Sequence, residues 1–216
     1  MKNILSLLLV LVSLFSFGQI DTELIKKKVT ENPQENFYPL LETFKSDPAK
    51  LTQEQLNQLY YGSKFAKVEY TIVDYNRESD TFWKPARKKL SKSRADSIKD
   101  EAESRYGKNP LNKKLLDDMI RIYSALDDRE KADLCTKQKE LITQTIKNSG
   151  DGTSEETAVC IINPAEIFLY LEELINAGPK GEFTQKIKQL PDGSILQTYK
   201  IGDRQKFVKI VGGYFL

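Results

Sequence analysis

Three carboxylates lie close together shortly after residue 148, in a segment that also holds two glycines. They are Asp151, Glu155 and Glu156. Clustered carboxylate and backbone oxygens are the ligands that Ca²⁺ prefers, and a pair of carboxylic acids is the machinery of glycoside hydrolysis. Their spacing differs from the D-x-[DN]-x-[DN]-G pattern of a calcium-binding helix–loop–helix. We therefore name them a candidate ligand loop; the alternative is a structural loop in which Asp151 and Thr153 bind nearby backbone N–H groups.

The residue types that are missing exclude several kinds of chemistry. The chain has no histidine and two cysteines. Without imidazole there is no Ser-His-Asp or Cys-His catalytic site and no His-ligated zinc or haem, and two thiols are too few for a thiolate metal site. We assign no catalytic residue and expect no metal or cofactor. Cys135 and Cys160 either form a disulfide, which an oxidising compartment would allow, or are small buried apolar side chains.

A short basic segment is a second candidate surface. On a helix its cations would spread over more than one face beside Trp83, where they could bind an anionic envelope polymer or a lipid headgroup. The alternative is a solvated surface whose charge is balanced by the acidic residues between Asp96 and Glu103. The basic residues are Lys84, Arg87, Lys88, Lys89, Lys92 and Arg94.

Residues 1–18 have the layout of a secretory signal peptide. Lys2 gives a basic start, Ile4 to Phe15 form an apolar stretch, and Ser16 and Gly18 are small residues before the cleavage point. The stretch is too short for a membrane-spanning helix, which needs roughly 20 apolar residues. We predict export to the periplasm or the outside of the cell, and no stable membrane span in the mature chain. A formal net charge of +2 gives no field that would attract nucleic acid, which is not expected as a partner.

Residues 19–148 show the periodicity of amphipathic helices. Asp21 is placed to cap the first helix, and Thr52 with Gln55 forms a capping box for a later one. Gly107 is predicted to end a further helix, because glycine is the commonest residue at that position. This part of the chain is therefore expected to be a helical region.

The clearest helical pair lies at the end of this region. One helix is predicted to begin at Asn109-Pro110, and a turn at Leu126 to Asp128 leads into a second. Tyr123 and Ala132 are nine residues apart, as are the tyrosine and the small alanine that interlock in a tetratricopeptide hairpin. The pair therefore resembles one tetratricopeptide unit; the alternative is an ordinary αα-hairpin.

Residues 149–216 change in character and are expected to form an α+β region. Gly150 is predicted to end the long helix in the left-handed conformation. Thr157 to Asn163 is typical of a buried strand, Pro164 opens a helix, and strand-like segments flank a turn at Pro191 to Gly193. The predicted fold class is α+β: N-terminal helical hairpins, tetratricopeptide-like in part, packed against a small C-terminal β-α-β-β-β antiparallel unit.

Three landmarks together carry a family resemblance. They are Tyr60-Tyr61-Gly62, the hairpin with Tyr123 and Ala132, and above all the string Ser149 to Ala158, SGDGTSEETA. They resemble an exported bacterial family catalogued as domain of unknown function family 4919, and the resemblance covers most of the mature chain. The family has no assigned catalytic residues, so the resemblance implies no chemistry. The signal peptides of its members imply export.

These observations favour a non-catalytic binding or interaction module of the cell envelope, which presents a surface to a protein, peptide or glycan. One alternative is a carboxylate-dependent enzyme acting on glycans, which would need two carboxyl groups about 5 to 9.5 Å apart across a cleft. Another is an accessory protein that occupies space in an envelope complex. The sequence leaves the oligomeric state open.

Overall fold

The computed structural model describes residues 20–66, 90–167, 170–171 and 182–213. Helices precede a C-terminal sheet, which confirms the α+β fold class. The predicted signal peptide and most of the basic segment lie outside the described residues. Within the described ranges, no helix is both long enough and apolar enough to cross a lipid bilayer. The elements are α1 (Thr22–Glu31), α2 (Pro33–Asn36), α3 (Tyr38–Ser46), α4 (Gln53–Gly62), α5 (Lys92–Lys108), α6 (Lys113–Ala125), α7 (Arg129–Lys147), β1 (Val159–Ile161), β2 (Phe183–Gln189), β3 (Ile195–Ile201) and β4 (Arg204–Ile210), with 3₁₀ turns at Pro48–Lys50 and Pro164–Glu166.

The predicted starts of two helices are confirmed by their capping hydrogen bonds. The Asp21 carboxylate accepts from the backbone N–H of Leu24 at 2.9 Å, so it caps α1. At the start of α4, Thr52 Oγ1 accepts from the N–H of Gln55 at 3.2 Å. The Gln55 side chain accepts from the N–H of Thr52 at 2.9 Å in return. This reciprocal pair is the capping box that the sequence predicts.

Two predicted helix boundaries are wrong. Gly107 lies inside α5 rather than at its end, because the backbone N–H of Asn109 still makes a helical hydrogen bond of 3.0 Å. Helix α6 begins three residues after Pro110, because the Asn112 side chain caps it by accepting from the N–H of Leu115 at 3.1 Å. At the start of α6 the capping side chain of Asn112, and not the proline, therefore sets the boundary.

Helices α6 and α7 form the predicted αα-hairpin. The turn between them holds Asp127 at a positive φ of 63°, a conformation that Asp tolerates better than most residues. Tyr123 and Ala132 are both buried at this turn. The likeness to a tetratricopeptide unit stays a prediction.

The C-terminal sheet has the strand order β1-β4-β3-β2. Strand β3 pairs antiparallel with both β2 and β4, and β1 pairs parallel with β4. The sheet is therefore mostly antiparallel, as predicted. Tyr199, Val208 and Ile210 of the sheet lie in the same buried cluster as Leu115 and Ile142 of the helices, so one hydrophobic core joins the helical and α+β regions.

Candidate functional site

The loop after α7 is hydrogen-bonded both to the end of that helix and to the sheet. The Ser149 hydroxyl donates to the carbonyl of Ile146 at 2.6 Å, at the end of α7. The same oxygen accepts from the backbone N–H of Cys160 in β1 at 2.8 Å. Ser149 is buried, so these bonds satisfy polar groups that water does not reach. The first residue of the SGDGTSEETA string thus joins two elements of the fold.

Gly150 does not have the left-handed conformation that the sequence predicts. Helix α7 ends at Lys147, and Asn148 follows in a right-handed conformation. A side chain at Gly150 would instead collide with backbone, because its Cβ would lie 2.3 Å from the carbonyl oxygen of Thr157. Glycine is present here because two backbone segments approach each other closely.

The left-handed residue of this loop is Gly152, with a φ of 69°. Its N–H donates to the carbonyl of Thr157 at 2.6 Å, and its carbonyl accepts from the N–H of Phe207 in β4 at 2.9 Å. The loop therefore closes on itself and also bonds to the sheet.

Asp151, the first residue of the candidate ligand loop, binds its own loop. Its Oδ1 accepts from the Thr157 hydroxyl at 2.6 Å. It also accepts from the backbone N–H and the hydroxyl of Thr153 at 2.9 and 2.8 Å. These hydrogen bonds, with that of Thr157 foremost, lower the pKa of the Asp151 carboxyl. Of the contacts that the structural alternative expects, the one from a backbone N–H to Asp151 is present.

The other two carboxylates of the candidate loop have different partners. Glu155 forms an exposed ion pair with Lys188 of β2, at 2.9 Å. The pKa of Glu156 is lowered by hydrogen bonds from its own backbone N–H and from the Ser154 side chain. In the described part of the chain, no group of three acidic or cysteine side chains is arranged to hold a metal ion. Each of the three carboxylates thus has a partner within the protein, and the ligand role of the loop stays a prediction.

Both cysteines are free thiols and both are buried. Burial raises the pKa of Cys135 to about 12 and that of Cys160 to about 11. Thiols of such high pKa are protonated and poorly reactive at neutral pH. Of the two alternatives that the sequence left open, a disulfide or two buried thiols, the structure has the buried thiols.

The basic segment is described only at its C-terminal end. Lys92 and Arg94 begin α5, and the Lys92 ammonium lies 3.4 Å from the Asp127 carboxylate in an exposed ion pair. The anionic-polymer hypothesis for this segment stays a prediction.

A buried carboxyl that the sequence analysis did not single out lies just after β1. The Tyr60 hydroxyl donates to Glu166 Oε2 at 3.3 Å, and burial raises the pKa of Glu166 while the charge of Lys113 opposes that rise. The Lys113 ammonium lies 5.8 Å from the ring centre of Tyr170, whose buried hydroxyl has no hydrogen-bond partner among the described residues. One signal could have found this group: Glu166 is the acidic residue within the apolar run that follows Val159.

Strand β2 is the exposed edge of the sheet. All seven of its residues are exposed, whereas β1 at the opposite edge is buried throughout. Of the described residues, three large apolar side chains are exposed: Phe183 at 52%, Ile187 at 59% and Leu24 at 47%. Two of the three lie on β2, two positions either side of Gln185, and therefore on one face of the strand.

That face of β2 continues the face of the sheet that packs on the helices. Gln185 lies opposite Tyr199, and Ile187 lies opposite Gln197. Tyr199 and Gln197 are buried, and the Phe183 ring lies 6.0 Å from the Tyr199 ring. The apolar face thus extends from the core to the exposed edge.

The opposite face of β2 is basic. Lys186 and Lys188 alternate with the apolar residues, and Glu182 directly precedes the strand. Lysines on an edge strand are a common device against unselective pairing. A strand that pairs with β2 must therefore match both an apolar face and a basic one.

Comparison with known proteins gives a family match. A family model described as Domain of unknown function (DUF4919) matches residues 23–187, more than half of the chain. The matched part runs from α1 into β2 and includes the whole of the SGDGTSEETA loop. Searches of curated proteins and of solved structures find no match.

Proposed function

The chain belongs to the DUF4919 family. From that premise we propose that it is an exported, non-catalytic interaction module of the cell envelope. In this proposal it binds a protein partner through β2. The observation that carries the proposal is the exposed edge strand with its two apolar side chains. An extended segment can add to such an edge, where main-chain hydrogen bonds give affinity and alternate side chains give specificity.

The two faces of β2 define the chemistry of the partner segment. On the face that holds Phe183 and Ile187, the partner supplies apolar side chains, because both residues are more than half exposed. On the face that holds Lys186 and Lys188, it supplies polar or acidic side chains, because like charges opposite each other on paired strands are destabilising. An extended segment of alternating apolar and acidic residues meets both requirements.

The export part of the proposal is supported by the layout of residues 1–18, with its basic start, apolar stretch and small residues before the cleavage point. Its test is the N-terminal sequence of the protein recovered from the exported fraction of a bacterial host. A start at Gln19 supports export with cleavage, and a start at Met1 contradicts it.

The binding part is tested by affinity capture from an envelope extract, using the full chain purified from the exported fraction. Ile187→Lys places a charge on the exposed apolar face of β2. Leu24→Lys is the matched control, because it makes the same change at an exposed apolar residue on α1. We expect the β2 variant to lose a stoichiometric protein partner that the wild type and the control retain. Equal recovery by all three proteins would contradict the role of β2.

A further inference from the structure

We propose that the strand that fits the β2 edge is β2 of a second copy of this chain, paired antiparallel about a two-fold axis at Gln185. The inference rests on the proposed function and names the partner of the same surface. It follows from a comparison of the registers in which β2 can oppose itself.

Pairing about Gln185 brings the apolar side chains of the two copies into contact. In this register Phe183 of each copy lies directly opposite Ile187 of the other, so the two-fold axis produces the contact twice. An aromatic residue opposite a β-branched one is a favourable cross-strand pair. Because both residues are more than half exposed in one chain, the pairing covers both exposed apolar side chains of β2 at once.

The same register also places each lysine of β2 opposite an acidic or a polar side chain. Glu182 of each copy lies opposite Lys188 of the other, and Thr184 lies opposite Lys186. In a single chain Lys188 already pairs with Glu155, at 2.9 Å, but both side chains are substantially exposed. Exposed ion pairs contribute little to stability, so this one does not hold Lys188 away from a second carboxylate.

Neighbouring registers fit less well. Pairing about Lys186 places that lysine opposite its own copy and Phe183 opposite Gln189, which joins like charges and leaves the aromatic ring against an amide. Pairing about Thr184 places Phe183 opposite Gln185 and moves Ile187 beyond the first residue of the partner strand. Like charges directly opposite are destabilising, and an unmatched apolar side chain stays in water. The register about Gln185 alone among these matches both faces.

The paired strands would form one continuous sheet across the two copies. The sheet of each copy has the order β1-β4-β3-β2, so its β2 edge would become internal while the buried β1 strands formed the outer edges. At the axis, the Gln185 side chain donates to Gln197 and to the Tyr199 hydroxyl, both at 3.2 Å. These bonds hold the two Gln185 side chains on their own sheets, so they need no partner across the axis.

Sedimentation over a range of protein concentrations tests the self-association. We expect a reversible dimer for the wild type and for Leu24→Lys, and a dimer at least about tenfold weaker for Ile187→Lys. Glu182→Lys should weaken the dimer as well, because in each copy it places a lysine opposite Lys188 of the other copy. The double variant Glu182→Lys/Lys188→Glu should restore the dimer. Glu155→Gln controls for the internal ion pair and should leave the dimer intact. Circular dichroism confirms that each variant is folded.

A cysteine cross-link tests the register itself. Directly opposite residues of antiparallel strands have Cα atoms about 4.5 to 5.5 Å apart, within the range of a disulfide. Gln185→Cys should therefore form a disulfide-linked dimer with oxidised glutathione, which is reduced to the thiol as the bond forms. Gln189→Cys is the matched control, because the two copies of residue 189 would be about 26 Å apart in this register. The native cysteines are buried and do not compete.

The outcomes separate this inference from the proposed function. A dimer that Ile187→Lys weakens, with a cross-link at residue 185 and not at 189, supports both. A chain that stays monomeric but captures an envelope protein through β2 overturns the self-pairing and leaves the proposed function standing. Equal cross-linking of both cysteine variants overturns the register. A dimer that none of the β2 substitutions affects overturns the inference and removes β2 as the docking surface.

Discussion

Replacing Gly150 by alanine tests whether the SGDGTSEETA loop is a structural joint. The new Cβ would lie 2.3 Å from the carbonyl oxygen of Thr157 and 2.7 Å from that of Ala158, and both atoms belong to backbone. One of the segments must therefore move. Such overpacking costs about 1 to 3 kcal/mol. Movement also weakens the hydrogen bond from Gly152 to Thr157, which contributes about 0.5 to 1.5 kcal/mol.

We therefore expect Gly150→Ala to lower the free energy of unfolding by about 1.5 to 4.5 kcal/mol, out of the roughly 5 to 15 kcal/mol typical of a folded domain. Urea unfolding followed by circular dichroism measures this change. Gly107→Ala is the matched control, because it lies within α5 and nothing surrounds its Cβ position within 4 Å. That control should be more stable than the wild type by about 0.5 to 1 kcal/mol. A Gly150→Ala protein as stable as the wild type would refute the close-approach argument.

Three further predictions concern carboxylates. Burial raises the pKa of Glu166 above its usual 4.5, so the free energy of unfolding should fall as the pH rises from below 4.5 through the raised pKa. Urea unfolding at about pH 4 and about pH 8 measures this fall, and the variant Glu166→Gln should lack it. Lys209→Met removes the cation 2.8 Å from the partly buried Asp192 and should cost about 2 to 4 kcal/mol at neutral pH. Burial acts to raise the pKa of Asp192, but Lys209 together with the hydrogen bonds from Ser194 lowers it below 3.8. In the wild type the contribution of this pair is therefore fully present above pH 3.8 and is lost as the pH falls through the lowered pKa, as unfolding at acid pH would show. Asp151 and Glu155 already contact Thr157 and Lys188 of the same chain, so millimolar Ca²⁺ should leave the melting temperature unchanged in a thermal scan. A rise in the melting temperature would favour the ligand loop instead.

The elements whose signals are local were predictable. The capping box of Thr52 and Gln55 depends on residues three apart, and the turn at Pro191 to Gly193 depends on consecutive residues, so neither needs knowledge of the rest of the fold. The strand-like segments predicted on either side of this turn are likewise strands in the structure, β2 and β3. The α+β class, with helices before strands, followed from these local signals.

Features that depend on distant contacts were not predictable. The sequence predicts a left-handed helix end at Gly150 because glycine favours that conformation. Glycine is required there instead by the backbone of Thr157, which only the folded loop brings near. The role of Glu166 depends on its contact with Tyr60, 106 residues away in the sequence, so the neighbouring residues give only a weak signal for it. The exposed side chains of β2 also look unexceptional in the sequence, where Ile187 is one more apolar residue of a strand.

Amide hydrogen exchange across β2 tests the central claim most directly. If β2 is the docking strand, the exchange of residues 183–189 should slow as the protein concentration rises, because backbone N–H groups at the free edge acquire hydrogen-bond partners. The buried strand β1 provides the internal reference, since its exchange should not depend on concentration. Exchange in β2 that is the same at every concentration, and the same after addition of an envelope extract, would contradict the account.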